Sequence, residues 1–232
     1  MKKTITMALM IVAFTFTVAN AQDGKSRRAS FGVQLGGNLN KVNGKDVLGD
    51  NFNNKFVPGF QAGINLEIPF TNSFCFQPGV QFITKNVKRT ESDGSITLNM
   101  SFVEMPLDFI IKPQVGSGRI LIGFGANVAY GLFGNWKTDV KGSNTLDQSG
   151  KIKFVNTYDR LAENPDNDQY IRPLDISIDF SFGYQFSNNF YLQAKGQYGL
   201  VNLAPEVENQ RTGWGRGMVK TITTGLSVGY RF

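Results

Sequence analysis

Hydrophobic and polar residues alternate with a period of two along most of the chain, the pattern of strands with two unlike faces. Eight runs carry it. In the first, Phe31 to Leu39, Phe31, Val33 and Leu35 share one face, and Gly32, Gln34, Gly36 and Asn38 the other. The second, Phe56 to Phe70, sets Phe60, Ala62, Ile64, Leu66 and Ile68 against Gln61, Gly63, Asn65 and Glu67. The third, Phe74 to Val87, sets Phe74, Phe76, Val80 and Phe82 against Gln77, Gly79, Gln81 and Lys85. The fourth, Ser95 to Lys112, changes phase. Leu98, Met100 and Phe102 share one parity, and Met105, Leu107, Phe109 and Ile111 share the other, which predicts a β-bulge near Val103 and Glu104.

The fifth run, Arg119 to Phe133, opposes Ile120, Ile122, Phe124, Val128, Tyr130 and Leu132 to Gly123, Gly125, Asn127 and Gly131. The sixth, Arg172 to Phe186, alternates without a break: Leu174, Ile176, Ile178, Phe180, Phe182, Tyr184 and Phe186 interleave with Asp175, Ser177, Asp179, Ser181, Gly183 and Gln185. The seventh, Asn189 to Asn202, and the eighth, Met218 to Phe232, repeat the pattern. Most runs exceed the five or six residues of an average globular strand and reach the roughly 9 to 11 that a membrane-crossing strand needs.

The connections alternate in length. Asn40 to Lys55, Gly134 to Ile171 and Leu203 to Gly217 are long, and Lys88 to Gly94 is intermediate. Thr71 to Ser73, Pro113 to Gly118 and Ser187-Asn188 are tight. Outer-membrane barrels pair short periplasmic turns with longer extracellular loops in this way. The expected fold is therefore all-β, an eight-stranded antiparallel up-and-down transmembrane β-barrel.

The first residues read as an address. Lys2 and Lys3 precede an apolar stretch from Ile5 to Val18, and Ala19-Asn20-Ala21 is a small-x-small cleavage site. The apolar run is too short for a spanning helix. The expected organisation is a signal peptide over residues 1–21, a short periplasmic segment over 22–29 and the barrel over 30–232.

Alternation alone does not say which face is inside. In a soluble barrel the apolar face points inward, whereas in a membrane barrel it points to lipid. The polar face here is rich in Gly, Ser, Gln and Asn. It holds both signs of charge: Glu67, Glu104, Asp108, Asp175 and Asp179 against Lys85, Lys195 and Arg231. Inside a narrow barrel such groups form a lumenal charge network, because an unpaired buried charge is costly. Phe70, Phe74, Tyr130, Phe133, Tyr184, Phe186, Phe190, Tyr191 and Phe232 cluster near strand ends on the apolar side, as interfacial aromatic girdles do. All three features point to the membrane arrangement.

Composition narrows the chemistry. The chain has no His, one Cys (Cys75) and a formal net charge of +6. His-based triads, most zinc sites and an internal disulfide are excluded. The modest basic excess is scattered solvated charge and gives no nucleic-acid patch. No catalytic set, cofactor motif or metal site emerges. Glu163, Asp166 and Asp168 in the segment 162–168 offer oxygen ligands of the kind that hold Ca²⁺, but the spacing is not that of an EF-hand and an acidic Asn/Pro turn is the favoured expectation, with cation binding left open. Trp136 and Trp214, both placed in long loops, are candidate contacts to the interface or to a partner.

Three stretches resemble the PorT-like outer-membrane β-barrel family, with the likeness running from about Ser30 to Phe232. They are Phe102-Val103-Glu104-Met105-Pro106-Leu107 with Lys112, Tyr191 to Lys195 with Tyr198 to Asn202, and the closing run Gly225 to Phe232. The resemblance implies a small barrel of the Gram-negative cell envelope and a terminal Phe232 read as an assembly signal by the outer-membrane assembly machinery. It implies fold and location better than function, because the family's roles are mixed.

The expected function is thus a non-enzymatic structural or interaction role in the outer membrane. Lipid surrounds the barrel, and the extracellular loops offer a surface to another envelope protein. The alternatives are a narrow channel or small-ligand-binding barrel, and an accessory component of outer-membrane protein secretion.

Overall fold

The computed structural model describes residues 28–45, 54–91, 94–140, 148–159, 168–208 and 218–232. In chain order the strands are β1 (Ser30–Lys45), β2 (Asn54–Pro69), β3 (Phe74–Glu91), β4 (Gly94–Ile111), β5 (Gln114–Val115), β6 (Gly118–Val140), β7 (Ser149–Phe154), β8 (Thr157–Asp159), β9 (Asp168–Ile171), β10 (Leu174–Gln185), β11 (Phe190–Gly199), β12 (Glu206–Glu208) and β13 (Met218–Arg231). Eight of them close a ring. The order β1-β2-β3-β4-β6-β10-β11-β13 returns to β1 through pairs running from Gly32 with Arg231 to Lys45 with Met218. Every pairing around the ring is antiparallel. Closure leaves no unpaired edge, the condition for a sheet to cross a bilayer. The eight strands are the eight alternating runs.

The apolar face points outward. Leu35, Phe109, Phe124, Phe180, Leu226 and Val228 are all exposed on the outer wall. The polar alternates point inward: Gln81, Glu104, Asp108, Asn127, Asp175, Ser177, Asp179, Gln193 and Thr223 are each less than a tenth exposed. One end of the barrel carries the tight turns and the other the long connections. At the turn end Phe31, Phe232, Tyr230 and Phe190 form a run of ring contacts at 5.0 to 6.1 Å, and Phe70, Phe74, Phe109 and Phe76 form another at 5.1 to 6.0 Å. The turns themselves are ordered by local chemistry. Gly116 takes φ 63° between β5 and β6, and Asn189 takes φ 68° before β11; Gly and Asn are the residues that tolerate this region.

The phase change in the fourth run has a different cause from the bulge it suggested. The register of β3 against β4 runs unbroken from Phe74 with Ile111 to Glu91 with Gly94. Even-numbered residues of β4 point inward throughout, so Met100 and Phe102 are buried inside the barrel together with Glu104 and Asp108. What changes is the surroundings. Toward the turn end the strands are apolar outside and mostly polar inside, apart from the small cluster of Cys75, Ile110, Leu121 and Tyr191. Toward the loop end they are polar outside, with Thr84, Asn86, Asn99 and Ser101, and apolar inside, with Ile83, Val87, Met100 and Phe102. The one register shift here lies between Ser101 and Phe102 of β4 against β6, where Leu132 is the unmatched residue. That bulge flips the parity of β6, so that Gly131 and then Trp136 both face in.

Phe82 pairs with Val103, and Val103 with Tyr130; the Phe82 ring lies 5.6 Å from Phe60 and 6.4 Å from Phe133. This aromatic row marks the level at which the pattern inverts. From Val103 to Ile111 is about 27 Å of strand at ~3.4 Å per residue, or roughly 20 Å of membrane normal at a usual barrel tilt.

Beyond that level β6 continues past β10 to Val140, farther than the fifth run predicted, and its free side is taken up by β7. β7 then pairs in parallel with β9, the segment leading into β10. Among the described residues no helix is long and apolar enough to cross a membrane.

Candidate functional site

Two parts of the barrel collect the chemistry-bearing residues: a stack of ion pairs along the lumen, and a capped outer mouth. The stack follows from spacing. β4 and the residue that follows it present Glu104, Asp108 and Lys112 inward at four-residue intervals, each about 13 Å farther along the chain. β10 presents Asp175 and Asp179 at the same interval. The register aligns Glu104 with Ala129 and Asp175 in one row, and Asp108 with Gly125 and Asp179 in the next. Two carboxylates therefore face each other twice across a small residue of β6.

Each carboxylate pair holds one lysine. In the row nearer the loop end, Lys85 Nζ lies 2.8 Å from Glu104 Oε1 and donates to Asp175 Oδ2 at 2.9 Å. Gln81 donates to Glu104 Oε2 at 2.7 Å and Thr221 to Asp175 Oδ2 at 2.9 Å. In the middle row Lys195 Nζ donates to Asp108 Oδ2 at 2.6 Å and to Asp179 Oδ2 at 3.1 Å. The row at the turn end reverses the arrangement, with one carboxylate between two cations. Lys112 Nζ donates to Glu67 Oε1, and Arg231 Nε stands 3.2 Å from Glu67 Oε2. All eight residues expected in a lumenal network thus face the lumen and meet in three clusters, with Lys112 added.

Two members of the lumen stood elsewhere in the sequence reading. Lys112 shares the parity of Glu104 and Asp108, and the four-residue spacing was the signal that places it. Tyr191, expected in the outer girdle, points into the lumen. It has the odd parity of Gln193 and Lys195 and is only 1% exposed. Its hydroxyl accepts from Asn65 Nδ2 at 3.0 Å, and the Arg231 guanidinium lies 5.5 Å from its ring. Phe190 and Phe232 do face outward, at 48% and 69% exposure. Cys75 is buried inward beside Ile110, Leu121 and Tyr191, as a small apolar residue.

The outer mouth is closed by apolar side chains. Ile83, Val87, Met100, Phe102, Ala129, Trp136 and Ile152 form one buried cluster, with Val42, Leu98, Phe154 and Ile171 packed against it. Trp136 is therefore no loop contact. It sits in β6, 4% exposed, because the Leu132 bulge turns it inward. Phe154 packs edge-on to Phe102 at 5.6 Å, and the Lys85 ammonium lies 5.2 Å from the Phe102 ring. Phe102 thus joins the ion-pair stack to the cap.

Above the cap the described parts of the connections are tied together. β8 pairs in parallel with β12, Arg172 Nη2 donates to Glu206 Oε1 at 2.8 Å, and Tyr158 stacks on Tyr170 with centroids 4.5 Å apart. Asp168 pairs with Lys153 at 2.8 Å. The rest of the acidic segment 162–168, Trp214 and the leader lie outside the described residues. Among the described residues no three of His, Cys, Asp and Glu are grouped so as to hold a metal ion.

Comparison with known proteins agrees with this geometry. Residues 20–204 match the family model described as outer membrane protein beta-barrel domain. No curated protein matches the chain. Among solved structures, the chain is similar to Ail, the attachment invasion locus protein of Yersinia pestis, in complex with the heparin analogue sucrose octasulfate (17% identity, 88% of this chain and 99% of that chain, TM-score 0.41). It is also similar to Neisserial surface protein A (15%, 88% and 99%, 0.40) and to OprG from Pseudomonas aeruginosa (11%, 88% and 95%, 0.41). With four fifths of its length matched, a closed eight-stranded ring, an apolar outer wall and a polar lumen, the chain belongs to the outer membrane protein beta-barrel domain family.

Proposed function

We propose that this outer-membrane barrel is a non-enzymatic structural and interaction protein that presents a preformed surface outside the cell. One observation carries the reading: the described parts of the connections at the loop end are joined to the cap and to one another as a platform. Ile152 and Phe154 anchor the β7 segment in the cap, and β8 and β12 join two separate connections. A surface ordered before binding loses little conformational freedom on docking a partner. Lumenal side chains fill the bore of an eight-stranded barrel, and here three ion-pair clusters and an apolar plug occupy it. This favours an interaction role over the alternative of a narrow channel.

The finer family reading, a PorT-like branch, rests on the Phe102-x-Glu104-x-Pro106-Leu107 run with Lys112. Phe102 anchors the cap, Glu104 holds Lys85 and Lys112 holds Glu67. We place Phe232 as the assembly signal; its N–H donates to Phe31 O at 2.8 Å, closing the barrel seam.

The test is photocrosslinking in whole cells from Thr157 and Lys151, both exposed on the platform, with Ser187 at the turn end as control. A discrete adduct from the platform positions and none from Ser187 is expected. No adduct from either, or steady unitary conductance in planar bilayers, overturns the reading.

A further inference from the structure

The row at the turn end differs from the other two in sign. There two cations share one carboxylate, whereas deeper in the lumen two carboxylates share each cation. A cavity of about 440 Å³ opens at this end, and its wall includes Glu67, Lys112, Arg119, Arg231, Ser30 and Gln185. Three cationic side chains thus face one anionic side chain around a single space. Arg231 is 6% exposed, and its Nη1 atom has no hydrogen-bond partner among the described residues. Its Nε faces Glu67 at ion-pair distance without an aligned hydrogen bond. A buried guanidinium with an unused N–H costs free energy until an acceptor arrives. Arg119 lies at the mouth, with Nη1 donating to Asn72 O at 3.3 Å.

We propose that this vestibule binds a phosphate-type oxyanion from the periplasmic side. Guanidinium groups match such anions through paired N–H donors, and lysine adds a compact charge. The cavity is large enough for more than a lone ion, and Phe186 and Phe232 stand on its rim at the level of the aromatic girdle. Two sources supply the same chemistry there: free inorganic phosphate, and the phosphodiester of an inner-leaflet phospholipid headgroup.

The experiment is calorimetric titration of the full-length barrel, folded in a zwitterionic detergent, with inorganic phosphate and separately with short-chain phosphatidylglycerol. Saturable binding of at least one is expected, weakened tenfold or more in Arg119→Gln and Arg231→Gln. Arg119 contributes no partner to the ion-pair stack, so its variant reports on the vestibule even if Arg231→Gln fails to fold. Binding of phosphate identifies the free anion, and binding of the lipid alone identifies the headgroup. No saturable heat with either probe, or affinity unchanged in Arg119→Gln, overturns the proposal.

Discussion

Asp108 and Asp179 face each other across Gly125, and Lys195 Nζ joins them at 2.6 and 3.1 Å. The arrangement needs the glycine. A Cβ on Gly125 would strike Asp108 Oδ1 and come within 2.5 Å of Leu107 O and 2.9 Å of Asp108 Cα. Gly125→Ala is therefore expected to cost about 1–3 kcal/mol through overpacking. Gly196, on the outer wall with nothing within 4 Å of a built Cβ, is the control. Its alanine variant should stay within about 0.5 kcal/mol of the parent. Urea unfolding in micelles, followed by heat-modifiable gel migration, measures both.

Lys85 holds two carboxylates that are both fully buried. Lys85→Met removes the one cation paired with them among the described residues and should destabilise the barrel by about 3–5 kcal/mol, the usual cost of leaving buried charge uncompensated. Neutralising the partners in the same chain, as Glu104→Gln with Asp175→Asn, should recover most of that loss. Additive losses across the triple variant would show that Lys85 packs without pairing.

Trp136 reports on the cap. In a Trp214→Phe background its fluorescence should be blue-shifted. It should resist quenching both by aqueous iodide and by lipids brominated along the acyl chain, because it lies inside the barrel. Trp136→Ala should lower the unfolding free energy by about 3–5 kcal/mol, as large-to-small core changes do. Strong quenching by brominated lipid would place the indole on the outer wall instead.

The eight strands, their facing and the charged lumen were legible because period-2 alternation and opposite-charge content are local signals. The sixth run shows this best, since every face assigned from Leu174 to Gln185 appears in β10. What local signals did not carry was the level of the membrane. Leu98, Met100 and Phe102 looked out of phase with Met105, Leu107 and Phe109. A bulge and a change of solvent give the same sequence pattern, and only the unbroken β3–β4 register tells them apart. The facing of Trp136 is hidden for a related reason: a single extra residue, Leu132, four positions earlier in the same strand reverses it.

The inversion at the Phe82–Val103–Tyr130 row fixes which part of the barrel meets lipid and which stands outside the membrane as a capped platform. It can be read from one strand. Single nitroxide labels at the odd positions of β4 from Thr97 to Ile111, in a Cys75→Ser background reconstituted in liposomes, should be accessible to oxygen and shielded from a water-soluble nickel chelate from Val103 to Ile111. From Thr97 to Ser101 the preference should reverse. Uniform nickel accessibility along the whole strand, or uniform oxygen preference through Thr97, would contradict the account.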